Sequence, residues 1–162
     1  MIHFPFAEAR AKTVGMSHET YSDAFLRDLL TAARTVAVVG ASPRPGRPSH
    51  RVMRYLQRQG YRAIPVNPNA TGPSATAEIL GERVYARLSD IPEPVDMVDI
   101  FRRSEAAGAI VDEAIAIGAK FVWMQLGVED AAAAARAEAQ GVKVVMNRCP
   151  AIEIPRLGLA PR

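Results

Sequence analysis

The chain has 162 residues, enough for one compact domain with a sizeable core, and its 49% hydrophobic and 23% charged residues exclude a disordered chain. Its net charge of +3 comes without any basic run interleaved with aromatics, so nucleic-acid binding is not expected. No apolar run reaches the ~18 residues of a membrane helix, no secretory signal is expected in Met1 to Gly15, and Cys149 is the one cysteine. No intrachain disulfide can form, and the expected location is the cytoplasm.

In chain order, residues 1–16 show no clear period and read as an N-terminal arm, leaving 17–162 as a single domain. Ser17 to Ala33 reads as a helix with Ser17 as its cap and Tyr21, Ala24, Phe25 and Leu29 on one face. Thr35 to Val39 is a continuously apolar strand, the pattern of a strand buried on both faces. Ser49 to Gln59 is a helix capped by Ser49 and ended by Gly60, with Val52, Tyr55 and Leu56 inward. Tyr61 to Val66 is the second strand, stopped by Asn67-Pro68. Asn69 to Gly81 is loop-like, Val84-Tyr85 a strand fragment, and Leu88 to Asp90 a single helical turn. Val95 to Phe101 is the third main strand. Ser104 to Ile117 is a helix with Ile110, Val111, Ala114 and Ile115 inward. Phe121 to Gln125 is the fourth strand, Glu129 to Gln140 an Ala-rich helix, and Val142 to Met146 the fifth strand. Ile154 to Arg162 reads as an irregular tail. Strands alternating with helices every 25–30 residues or so define an α/β, Rossmann-like, doubly wound parallel sheet of about five strands with helices on both faces.

In such a sheet ligands bind outside the carboxyl ends of the strands. All five ends here carry polar or backbone-opening residues: Gly40-Ala41-Ser42-Pro43-Arg44, Asn67-Pro68-Asn69, Phe101-Arg102-Arg103-Ser104, Gln125-Leu126-Gly127 and Asn147-Arg148-Cys149-Pro150. The first end reads as a phosphate site. Gly40 offers close backbone approach, Ser42 a hydroxyl and an N–H, and the helix near Ser49 a partial positive charge. Arg44, Arg47 and Arg51 stand nearby. Of the 20 basic residues, 17 are arginine, whose planar fork suits phosphate. The glycine spacing of a dinucleotide fingerprint is missing, and no carboxylate ends the second strand. NAD is therefore disfavoured, whereas a nucleotide with a phosphorylated ribose, NADP or coenzyme A, remains open.

The ordered blocks Val38 to Ser42, Arg47 to Ser49, Tyr61 to Pro68, Ile91 to Asp96, Asp99 to Ser104, Ala116 to Lys120, Val122 to Gly127 and Asn147 to Pro150 resemble the CoA-binding domain family. The likeness is to its small single-domain members and to the nucleotide-binding domain of the succinyl-CoA synthetase α subunit. It runs from about Thr35 to Leu157, with Asn69 to Thr76 longer than usual for the family. The resemblance implies coenzyme A across the strand ends. Gly40, Ala41, Ser42 and Pro43 would line the pyrophosphate with Arg47 and Ser49 nearby. Val66, Asn67 and Pro68 would flank adenine and ribose, and Phe101, Arg102 and Ser104 would form the next wall. Gln125, Leu126 and Gly127 would face the pantetheine arm.

Trp123, between Val122 and Met124, reads as core. Cys149 reads as a small residue satisfying a turn; the alternative is a thiol that exchanges with that of coenzyme A, its pKa lowered by Arg148. Arg102-Arg103 at a helix start oppose the dipole, which points either to a bound anion or to simple solvation. His3, His18 and His50 lack ligand partners at metal spacing, and no catalytic residue is assigned. The expected function is non-catalytic binding of coenzyme A or an acyl-CoA, with a homo-oligomer or a partner protein left open. The alternative is an NADP-dependent oxidoreductase or an acyl-CoA ligase subunit.

Overall fold

The computed structural model describes residues 17–69 and 77–162; the expected N-terminal arm lies outside them. The elements are α1 (Asp23–Ala32), β1 (Thr35–Val39), α2 (Pro48–Arg58), β2 (Arg62–Val66), β3 (Glu78–Ile79), β4 (Glu82–Arg83), a 3-10 turn (Leu88–Asp90), β5 (Met97–Ile100), α3 (Ser104–Ala116), β6 (Phe121–Met124), α4 (Ala131–Ala139), β7 (Lys143–Val145) and α5 (Pro150–Arg156). The main sheet is parallel, in the order β2-β1-β5-β6-β7. The chain thus starts in the middle, winds outward to β2, returns past β1 to β5, and continues outward to β7. The winding reverses between β1 and β5, which makes the space beyond their carboxyl ends the switch point.

Alternate side chains of each strand feed two cores. Val36, Val38, Met97, Phe121, Trp123 and Val145 pack with α1, α2 and α5 on one face. Ala37, Val39, Val98, Ile100, Val122, Met124 and Val144 pack with α3 and α4 on the other. Burial on both faces is what the unbroken apolar strands require. Trp123 is fully buried in the first core and donates its indole N–H to Arg148 O at 2.9 Å.

Several boundaries differ from expectation for local reasons. α1 begins at Asp23, because Ser22 accepts from Phe25 N–H at 3.1 Å, whereas Ser17 closes a local turn with Glu19 N–H. Its buried residues are Leu26, Leu29 and Leu30, and Ala24 is exposed. α2 begins one residue early: Arg47 is its cap residue, Pro48 occupies the first turn, and Ser49 is buried. α2 closes in a Schellman arrangement, with Gly60 N–H on Gln57 O and Tyr61 N–H on Leu56 O, both at 3.0 Å, and Gly60 at φ 91°. α4 starts after Asp130, whose carboxylate accepts from Ala133 N–H.

Two elements differ in kind. The expected Val84-Tyr85 strand is reduced to one parallel bridge from Tyr85 to Val66, and a β3–β4 hairpin that was not expected precedes it. Arg62 holds that hairpin to the sheet, reaching Glu82 at 2.5 Å and Glu93 through two bonds of 3.1 Å. The segment read as an irregular tail begins inside a helix: Ile154 to Arg156 are the last turn of α5, which starts at Pro150 and carries Pro155 within it. No helix among the described residues is long and apolar enough to cross a membrane.

Candidate functional site

The turn after β1 is tightly built from its own groups. Gly40 N–H and Ala41 N–H both donate to Val66 O, at 2.9 and 3.3 Å. Asn67 Nδ2 closes the same junction on Ala41 O at 2.9 Å, and Ala41 is buried. Ser42 N–H donates to Ser49 Oγ at 3.1 Å, and Ser42 Oγ accepts from Arg44 N–H at 3.2 Å. A Cβ on Gly40 would stand 2.5 Å from Phe101 O. Gly40 is therefore required by the closeness of the β1 and β5 ends. Pro43 and Arg47 are exposed on the outer part of the turn.

Two cavities open at the switch point, one on each face of the sheet. The larger, about 810 Å³, lies between α2 and α5 on the face of the first core. Its walls are mostly apolar, from Val52, Tyr55, Phe101, Val128, Ala151 and Ile152. Arg51, Arg102 and Arg103 line it on the side of α2 and the β5 end, and Gln125, Leu126, Gly127 and Cys149 on the side of β6 and β7. The smaller, about 280 Å³, lies on the other face between Val39, Val66, Pro68, Leu88 and Ile110. Arg102 borders both. Arg102 and Arg103 are exposed and carry no ion pair among the described residues.

Two buried side chains, Gln125 and Asp99, carry oxygens without a partner among the described residues. Gln125 is 6% exposed, and its Oε1 has no partner among the described residues. Asp99 lies on β5 between Val38 and Trp123, fully buried, with neither carboxylate oxygen bonded. Desolvation pushes its carboxyl well above the ordinary carboxylate range. Arg148 does not serve Cys149: its guanidinium donates to Asn147 O and Glu19 O and lies 5.2 Å from the Tyr21 ring centre. No cluster of three or more His, Cys, Asp or Glu side chains suited to a metal is present among the described residues.

The pattern of the CoA binding domain matches residues 34–155, most of the chain and every strand of the main sheet. The chain belongs to the CoA binding domain family. The protein YneT of Bacillus subtilis (strain 168) is 35% identical over 128 residues, which is 79% of this chain and 90% of YneT. A solved structure of a hypothetical protein from Pyrococcus horikoshii OT3 is 36% identical with a TM-score of 0.80, covering 88% of this chain and 96% of that one. The ADP-forming acetate–CoA ligase II of Archaeoglobus fulgidus is 35% identical over 96 residues, 58% of this chain but only 13% of the ligase.

Within this CoA binding domain, the candidate residues fall into two groups. Phe101, Arg102, Gln125, Leu126 and Gly127 line the larger cavity, and Val66, Pro68 and Arg102 border the smaller. Gly40, Ala41, Ser42, Pro43, Arg47, Ser49, Asn67 and Ser104 line neither. Ser104 Oγ instead bridges Gly127 O at 3.3 Å and Glu129 N–H at 3.0 Å, fixing the turn after β6. The sequence reading missed Tyr55 as a wall residue, because helical period assigns it to the core. It missed Ala151 and Ile152 because no helix was expected over residues 150–156; Pro150 at its start was the available signal.

Proposed function

We propose that this chain binds coenzyme A or an acyl-CoA without transforming it. The observation that carries this is the pair of cavities that Arg102 borders. One is small, on the β1–β2 side, with apolar walls from Val39, Val66, Pro68, Leu88 and Ile110 and Arg87, Arg102 and Glu113 also lining it, the size of a site for a flat base. The other runs from three arginines to an uncharged wall. Such a layout suits a ligand with a planar base, phosphates in the middle and a long uncharged arm. Membership of the CoA binding domain family supports the same ligand class.

In this reading Val66 and Pro68 flank the adenine, Arg102 and Arg103 meet the phosphates, and Gln125 to Gly127 follow the pantetheine arm. Gly40 to Pro43, Arg47, Ser49, Asn67 and Ser104 shape the turns that hold these walls. A second reading, a ligase subunit, has one supporting observation: the 96-residue likeness to the A. fulgidus ligase.

Calorimetric titration with coenzyme A, acetyl-CoA, NADP and NAD tests the proposal. Coenzyme A and acetyl-CoA should bind, with NADP and NAD at least about tenfold weaker. Tighter binding of NADP would overturn it. Acyl-CoA formation from acetate, coenzyme A and nucleotide in the presence of a partner chain would favour the ligase reading.

A further inference from the structure

The larger cavity has two kinds of wall. The strand ends supply polar side chains, Arg102, Arg103 and Gln125, and the exposed turn at Gly127. The helices supply Val52 and Tyr55 from α2 and Ala151 and Ile152 from α5. Val52 and Tyr55 lie inside α2, whose backbone groups are bonded within the helix. Ile152 N–H is likewise taken, by Cys149 O at 3.0 Å. The helix wall therefore offers a ligand mainly hydrocarbon.

Among the described residues, the exposed large hydrophobic side chains are Leu126 and Ile152, at 56% and 50%. Both border this cavity. Scattered singly, such residues need no explanation; two on the rim of one mostly apolar cavity form a surface that an apolar occupant would cover.

The charge along the cavity orients that occupant. Arg51, Arg102 and Arg103 stand at α2 and the β5 end, whereas Ala151 and Ile152 open α5 just beyond β7. From β5 to β7 there are two strand spacings, about 10 Å. The uncharged arm of coenzyme A has a pantoyl unit and two amide units, roughly three residue lengths, so it also spans about 10 Å when extended. With the phosphates at the arginines, its sulfur arrives at α5, and a group attached to that sulfur enters the space between α2 and α5. The α2 side of this space runs from Pro48 to Tyr55, about 10 Å of helix at ~1.5 Å per residue. An extended alkyl chain advances about 1.2 Å per bond, so about eight carbons fill that length. We propose that the ligand is a medium-chain acyl-CoA whose alkyl chain lies between α2 and α5 against Val52, Tyr55, Ala151 and Ile152. This rests on the coenzyme A reading given above.

Calorimetry of the full chain with coenzyme A and with acetyl-, butyryl-, hexanoyl-, octanoyl- and lauroyl-CoA tests the proposal. Affinity should rise about two- to fourfold per methylene up to octanoyl and then level off at lauroyl, whose further carbons stay in solvent. Ile152→Ser should weaken octanoyl-CoA by about fivefold or more and leave coenzyme A unchanged. Equal affinity from acetyl to octanoyl, or a fall with the first added methylenes, would overturn the acyl site and leave the coenzyme A reading standing. So would a rise that continues undiminished to lauroyl, or octanoate binding as tightly as octanoyl-CoA, since adsorption on any apolar surface behaves so. Failure of every compound to bind, coenzyme A included, removes the ligand reading itself. Sedimentation velocity identifies a competing occupant. A ligand-free dimer that Ile152→Ser dissociates and octanoyl-CoA does not would assign Leu126 and Ile152 to a second copy and overturn the proposal.

Discussion

Gly40 stands where two strand ends press together, at φ 91° and with Phe101 O at 2.5 Å from any added Cβ. Gly40→Ala should therefore lose about 2–4 kcal/mol of stability, from left-handed strain plus a clash with backbone that cannot rotate away. Urea unfolding measures it, and a loss under about 1 kcal/mol would contradict the packing argument. The sequence identified this glycine as special but gave ligand approach as the reason, because the nearness of Phe101 is a tertiary fact. Asp99 was legible only as one of two acidic residues in a strand; its isolation depends on Val38 and Trp123 standing on either side. Burial raises its folded pKa above the unfolded carboxylate value of about 3.9. Its contribution is thus fully present below that value and is lost as pH rises toward the folded pKa, because the unfolded chain ionises more readily. Asp99→Asn removes this slope. The melting temperature of the variant relative to wild type should increase from pH 4 to pH 8, and a constant difference across that range would refute the assignment.

Helices and strands were legible where period and cap agreed, and less so where two caps competed or tertiary contacts chose the end. Ser17 and Ser22 are both credible caps, and the hydrogen bond of Ser22 to Phe25 N–H decides between them. α5 has seven residues and an internal proline, so its local preference is weak. It persists because Ile154 and Leu157 are buried in the first core. The segment after α5 is fixed in a similar way. Arg162 donates its backbone N–H to Gln59 O at 2.9 Å and its guanidinium to Leu30 O at 2.9 Å and to Thr31 O, and stacks 4.8 Å from the Tyr61 ring centre. Tyr61 in turn donates its hydroxyl to Leu30 O at 2.5 Å. Arg162→Ala should destabilise the chain by about 1–2 kcal/mol. Tyr61 already has a raised pKa because of burial, and Arg162 partly offsets that rise. The same substitution should therefore move phenolate formation at Tyr61 to still higher pH. An unchanged ultraviolet titration would mean that the guanidinium does not act on the ring.

At the scale of the molecule, the reversal of winding between β1 and β5 sends α2 to one face and α3 to the other. The two cavities are the consequence, and Arg102 stands between them because it follows β5 directly. The alternation of elements made the sheet and its functional edge legible, while the sorting of candidate residues onto two faces needed the strand order. If one ligand spans both cavities, its two halves should bind separately and together. Adenosine 3′,5′-bisphosphate and pantetheine, each added alone, should raise the melting temperature, and each should still do so in the presence of the other. Intact coenzyme A at a hundred times its dissociation constant should add about 2.7 kcal/mol, or about 5–11 °C for a chain of this size. Arg102→Ala removes a charged donor bordering both sites, so it should weaken the bisphosphate and intact coenzyme A by about 10- to 100-fold. Arg87→Ala touches only the smaller cavity and should weaken the bisphosphate while leaving pantetheine unchanged. Mutual exclusion of the two fragments, or equal effects of Arg87→Ala on both, would place them in one cavity and end the two-faced model.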